Sequence, residues 1–212
     1  LYTMNEGGVV KMTPEGENRL NITVNREGLN YGNYVLPLLL TGISLETIEP
    51  DPTKNSCLLG VSYVPNADNL QSIHLTESMI SYHPNSICEG AVEYLIDDDP
   101  NTYFHSDYNV GVPLPHWLQF ALPEECSAFR FEYVTRNAGP HVVPHKISLY
   151  GSEDGVEFRK IVVLSSELPY DVGQTYTSPV LVTGENIKHI RMAVDESPSG
   201  SFALAEFRLW TL

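Results

Sequence analysis

Short runs of alternating apolar and polar residues recur along the whole chain, while apolar positions at helical spacing are almost absent. Leu20, Ile22 and Val24 alternate with Asn21, Thr23 and Asn25, which predicts a strand with one buried face over 20–25. Strands are also predicted over 8–12, 34–44 and 58–64, giving a small sheet or incomplete sandwich. Pro65-Asn66-Ala67-Asp68-Asn69 is polar and turn-rich, so a domain boundary is expected there, with domains 1–66 and 67–212. In the second domain, Phe129, Phe131 and Tyr133 alternate with Arg130, Glu132 and Val134. Ile147 and Leu149 alternate with Lys146, Ser148 and Tyr150, and Ile190, Met192 and Val194 with Arg191, Ala193 and Asp195. Further strands are predicted over 117–122, 160–164, 179–182 and 203–210, and the one helical hint is a turn or two around 89–96. About eight strands around one core make an all-β, jelly-roll-like β-sandwich.

Composition narrows the partners. The chain has 212 residues, with 12 Lys and Arg against 27 Asp and Glu, for a formal net charge of -15. Such a surface repels phosphate backbones and anionic head groups, so neither nucleic acid nor direct lipid binding is expected. Neutral ligands and cations suit it better. No apolar run approaches the ~20 residues of a membrane-spanning helix, the run over 35–40 being strand-sized. No secretory leader is read at Leu1-Tyr2-Thr3-Met4, so a leader is expected to have preceded this sequence. Cys57, Cys88 and Cys126 are odd in number and fit no zinc spacing. They are expected as free thiols, with a Cys88–Cys126 disulfide as the alternative.

The densest chemistry runs from Leu95 to Ser106, through Asp97-Asp98-Asp99-Pro100-Asn101-Thr102. Three successive carboxylates repel one another unless they are solvated or share a cation. Hard oxygen ligands on a turn suit calcium, and a solvated acidic turn is the other reading. The glycine and terminal glutamate of an EF-hand are missing. No nucleophile elbow, zinc-protease motif or phosphate loop occurs, and adjacent aspartates on one loop cannot straddle a sugar as glycosidase carboxylates do. His141 and His145 are four apart, but Pro144 opposes a helix that would present both to zinc. An enzyme is not expected.

Several stretches, in order, resemble the coagulation factor 5/8 type C, or discoidin, domains, and within them the family 32 carbohydrate-binding modules. They are Ala91 to Ser106, Pro115-His116-Trp117-Leu118-Gln119-Phe120, Tyr133 to Asn137, Leu149-Tyr150-Gly151-Ser152 to Phe158, and Phe202 to Phe207. The resemblance covers about residues 70–212 and implies a jelly roll with one structural calcium. Its implied ligands are Asp97, Asp99, Thr102, Glu206 and the carbonyls of Tyr94 and Ala205. The family's usual glycine after the first aspartate is Asp98 here. Sugar binders of this kind read their ligand on loops at one end, which implies roles for His105, His116, Arg136 and Asn137, with Tyr108, His141 and Phe202 nearby. Trp117, Phe158 and Trp210 are assigned to structure. A protein–protein or adhesion role is the alternative, with an apolar patch over 109–115 as its signature.

Residues 25–38 resemble the end of a domain of unknown function common in surface lipoproteins of glycan-foraging gut bacteria. Only its C-terminal part matches, over 1–66, and it offers no site chemistry. The pairing implies a non-catalytic glycan-binding protein of a polysaccharide-utilisation system, at the outer-membrane surface or in the periplasm.

Overall fold

The computed structural model describes residues 2–13, 15–16, 19–44 and 49–212. The chain folds as two units, 1–63 and 64–212.

In the first unit, β1 (Tyr2–Met4) pairs antiparallel with β2 (Ile22–Val24), and β3 (Gly32–Leu39) with β4 (Ser56–Tyr63). The strand expected over 8–12 does not form. Asn5–Gly8 winds into a 3-10 turn, and Gly7 and Gly8 take φ of 63° and 87°, a left-handed backbone that interrupts extended chain. Tyr34, Leu36 and Val61 face a small apolar cleft completed by Tyr2, Val24 and Leu29. On the opposite face of the β3–β4 ribbon, Leu39 and Leu58 are exposed.

The second unit is a discoidin-like jelly-roll sandwich built on one continuous antiparallel sheet. Its strands are β5 (Gln71–Ser72), β6 (Ile80–His83), β7 (Ile87–Gly90), β8 (Phe104–Ser106), β9 (His116–Thr135), β10 (Lys146–Ser152), β11 (Arg159–Leu164), β12 (Thr175–Thr177), β13 (Leu181–Glu196) and β14 (Ala203–Thr211). The two strands expected over 117–122 and around 129–134 are one, β9. Its burial alternates on both sides of an exposed break at Pro123-Glu124-Glu125, where the sequence pattern suggests an end. The first half of β9 pairs with β6 and with the last part of β13; its second half pairs with β12 and β14. The early residues Leu181 and Val182 of β13 also pair with this second half, through register shifts that follow them. Both long strands therefore pass from one layer to the other, bending at bulges.

Inward residues of the two layers form the core, with Leu118, Phe120, Phe129, Phe131, Tyr133 and Phe207 all buried. All three cysteines are free. Burial pushes the Cys126 thiol up to about 12, which makes it a packing residue rather than a nucleophile.

The strand order β7-β8-β14-β9 positions the candidate chemistry. Glu89 lies opposite His105, His105 opposite Ala203, and Leu204 opposite Thr135. Residues from four distant parts of the sequence thus meet at one end of the sandwich.

Candidate ligand mouth and acidic loop

Glu89 is the hub of that end. Its Oε1 accepts hydrogen bonds from His105 Nδ1 at 2.7 Å and from Arg136 Nη1 at 2.9 Å. The Tyr103 hydroxyl donates to its Oε2 at 3.4 Å. The His105 bond, backed by Arg136, holds the Glu89 carboxyl below the usual range. Burial pushes the His105 pKa down, against the pull of Glu89. The ring is therefore neutral near pH 7: Nδ1 donates to Glu89, and Nε2 accepts from Ser201 Oγ at 3.1 Å.

Arg136 follows directly on β9, and its guanidinium lies 3.7 Å from the centroid of the Tyr103 ring. Stacked on one face and tied at Nη1, the fork keeps its remaining N–H donors for a ligand. Tyr108 stands half exposed against His105, with centroids 5.0 Å apart. An exposed aromatic face beside a fixed cation and a carboxylate can hold the C–H side of a sugar ring while binding its hydroxyls.

The other expected ligand residues fall elsewhere. His116 is fully buried. Its Nε2 donates to the Val112 carbonyl at 2.9 Å, and its Nδ1 accepts from Ser106 Oγ at 2.8 Å. It braces the 107–115 loop from inside, which the start of a strand facing the core requires. Phe202 is also fully buried, 5.8 Å from Phe104, and belongs to the core. Asn137 turns away from Glu89: its Nδ2 donates to the Pro100 carbonyl at 3.0 Å and approaches Asn101 Oδ1 at 3.4 Å. His141 is exposed, and its carbonyl accepts from Ser199 N at 2.9 Å and Ser197 Oγ at 3.2 Å. It thereby pins the loop that carries Ser201. In the 109–115 stretch Val110, Pro113 and Pro115 are exposed, while Val112 and Leu114 are half buried.

The acidic loop follows the 3-10 turn Glu93–Leu95, which contains Tyr94. Asp97 accepts from Asp99 N at 2.9 Å and from the Thr102 hydroxyl at 2.8 Å. Asp99 accepts from Asn101 N at 3.0 Å and Asn101 Nδ2 at 2.8 Å, bonds that hold its carboxyl below the usual range. Asp98 takes a left-handed φ of 59°, a conformation aspartate tolerates better than most residues. Its carboxylate pairs with Arg208 Nη2 at 2.9 Å, and Arg208 Nη1 reaches Glu132 at 3.1 Å.

Two observations bear on whether calcium fits this loop. Glu206 is 2% exposed, and its Oε1 has no hydrogen-bond partner among the described residues. Burial pushes its pKa up. The β14–β9 register shifts between Leu204 and Glu206, so Ala205 stands at a bulge, outside the regular ladder. Hard oxygens and one unpartnered oxygen of a buried carboxylate, whose Oε2 lies 3.7 Å from Arg208 Nη2, suit the ion. The carboxylates of Asp97 and Asp99, however, are folded onto the loop's own donors. Among the described residues no three His, Cys, Asp or Glu side chains converge as a ready cage.

No family model and no curated protein matches the chain. Solved structures do. A family 32 carbohydrate-binding module from Clostridium perfringens (CpGH89CBM32-5), in complex with GalNAc-β-1,3-galactose, is 26% identical; the match covers 67% of this chain and 95% of that one, with a TM-score of 0.50. The C-terminal domain of a chitobiase from Bacteroides fragilis is 15% identical over 67% of this chain and 98% of its own, with a TM-score of 0.51. The CBM32-3 module of a family 31 glycoside hydrolase from Clostridium perfringens is 15% identical over 66% and 95%, with a TM-score of 0.50. The solved structures that this chain resembles are thus family 32 carbohydrate-binding modules and a chitobiase C-terminal domain, the CBM32-3 module being part of a glycoside hydrolase.

Proposed function

We propose that residues 64–212 form a non-catalytic glycan-binding module whose ligand sits on the mouth formed by Tyr108, Arg136 and Glu89, with His105 behind them. The observation that carries this reading is the Glu89 carboxylate shared by His105 and Arg136 beneath an exposed aromatic ring. The bound GalNAc-β-1,3-galactose of the 26% identical module supports galactose- or hexosamine-type sugars as the ligand class. His116, Asn137 and Phe202 stand outside the contact set, and His141 shapes it from a neighbouring loop. Titration calorimetry with galactose, GalNAc and GalNAc-β-1,3-galactose, in the presence of calcium, tests the proposal. Binding by the wild type that weakens at least tenfold in Arg136→Ala supports it; silence across the panel overturns it.

The same reading takes calcium as a structural ion. Asp97, Asp99, Thr102 and Glu206, with the carbonyls of Tyr94 and Ala205, would hold it, and its charge would tie the acidic loop to β14. The bulge at Ala205 and the orphaned Glu206 oxygen support this. We further assign the protein to the cell envelope, as a surface or periplasmic lipoprotein of a glycan-utilisation system. The resemblance of residues 25–38 supports that placement.

A further inference from the structure

We propose that the acidic loop and the ligand mouth are coupled, so that calcium and glycan each strengthen the other's binding. The inference rests on both readings above and adds a regulatory link between them. Two contacts carry it, and each leaves the 97–102 loop by a different route.

The first runs along the chain. The Thr102 hydroxyl donates to Asp97 and to the Asp99 carbonyl at 2.9 Å. An ion held by the Asp97 and Thr102 oxygens, which already stand 2.8 Å apart, would fix Thr102 in place. The next residue, Tyr103, carries the ring under the Arg136 guanidinium and the hydroxyl that reaches Glu89. Thr102 is thus one residue from the aromatic floor of the mouth and three from His105.

The second route crosses space. Asn137 bonds Pro100 and Asn101 at the tip of the acidic loop, and it is covalently next to Arg136. The Arg136–Asn137 segment is braced on its other side. Gly173 N donates to the Arg136 carbonyl at 3.3 Å, and the Thr135 hydroxyl bonds the Asp171 carbonyl at 2.8 Å. A shift of the acidic loop is therefore passed to Arg136 instead of being absorbed by a free turn. Asn137 and Tyr103 are positioning residues in this scheme.

Thermodynamic reciprocity makes the claim checkable from either side, since the factor by which calcium raises glycan affinity must equal the factor by which glycan raises calcium affinity. The experiment is a set of calorimetric titrations on the whole chain. Calcium and GalNAc-β-1,3-galactose are each titrated alone, then each in the presence of the other, for the wild type, Asn137→Ala and Tyr103→Leu. Coupling predicts that chelator weakens wild-type glycan binding by about fivefold or more, with the same factor returned on calcium. The variants show a factor below about twofold while melting like the wild type in calcium. Without sugar, adding calcium also shifts the Asn137 side-chain amide and Arg136 Nε–H signals in the wild type. Equal glycan affinity with calcium and with chelator overturns the coupling while leaving both readings intact. An unchanged factor in both variants overturns the route. No heat with calcium alone, or none with glycan alone, removes the corresponding reading and the coupling with it.

Discussion

The Phe120 ring stacks on the Phe207 ring with centroids 4.3 Å apart and planes 11° from parallel. Phe120 comes from the first half of β9 and Phe207 from β14, which pairs with the second half of β9. The contact therefore joins the two layers. Phe131 continues the stack on Phe207 at 5.8 Å. Removing Phe207 opens a hole that both layers line and cannot easily close. Phe207→Ala is expected to cost about 3–5 kcal/mol in denaturant unfolding. A loss under about 1 kcal/mol would mean that the layers do not meet through this ring.

Gly90 precedes the acidic-loop segment and takes a φ of 77°. A Cβ there would run into the Tyr103 carbonyl oxygen. Gly200 has the same φ but open space around it. Gly200→Ala should cost only the left-handed backbone penalty, about 1 kcal/mol, whereas Gly90→Ala should exceed it by about 1–3 kcal/mol. Because Tyr103 underlies Arg136, the Gly90 variant should also lose glycan affinity. Paired thermal melts and titrations of the two variants separate the effects; equal melting points would refute the clash.

Burial pushes the pKa of both His105 and His116 below the ordinary value of 6.5. The unfolded chain therefore takes up protons, as pH falls through about 6.5, that the folded chain refuses. Stability should fall over that range and level off once pH is below the folded values. The depressed carboxyl of Glu89 adds a separate loss at lower pH, below its ordinary 4.5. Melting temperatures measured from pH 7.5 down to pH 5 should decline, with a shallower decline in His116→Gln. A flat profile in the wild type would show that neither histidine is held neutral by its surroundings.

The alternation of Phe129, Phe131 and Tyr133, or of Ile190, Met192 and Val194, exposes a strand directly, because each has one face in the core. The continuity of β9 was hidden, since Pro123-Glu124-Glu125 looks like a turn while the chain stays extended at the crossing between layers. Strands as short as β7 and β8 were missed, because three or four residues carry no period and β8 is buried throughout. Arg136 was legible as a candidate from its place at a strand end, and the structure sets it against Glu89 and Tyr103. Glu89 was not, because the sequence around it reads as the start of a helical turn. Its role exists only once β7 lies beside β8 and faces a side chain 47 residues away. His116 and Phe202 are the converse case, named as candidates but buried in the structure. Their motif position was legible, but the direction of the side chain depends on strand register, which motifs do not carry.

One strand also fixes how the second unit presents its mouth. Ala203, at the start of β14, lies opposite His105, whereas Trp210 and Thr211, at its end, pair with Ser72 and Gln71. The nine residues of β14 span about 30 Å. Residues 71–72 and 210–211 thus lie side by side at the foot of β14, with the mouth at the head. Changes made at the foot of β14, where β5 pairs with Trp210 and Thr211, are therefore separated from the mouth by the length of a strand.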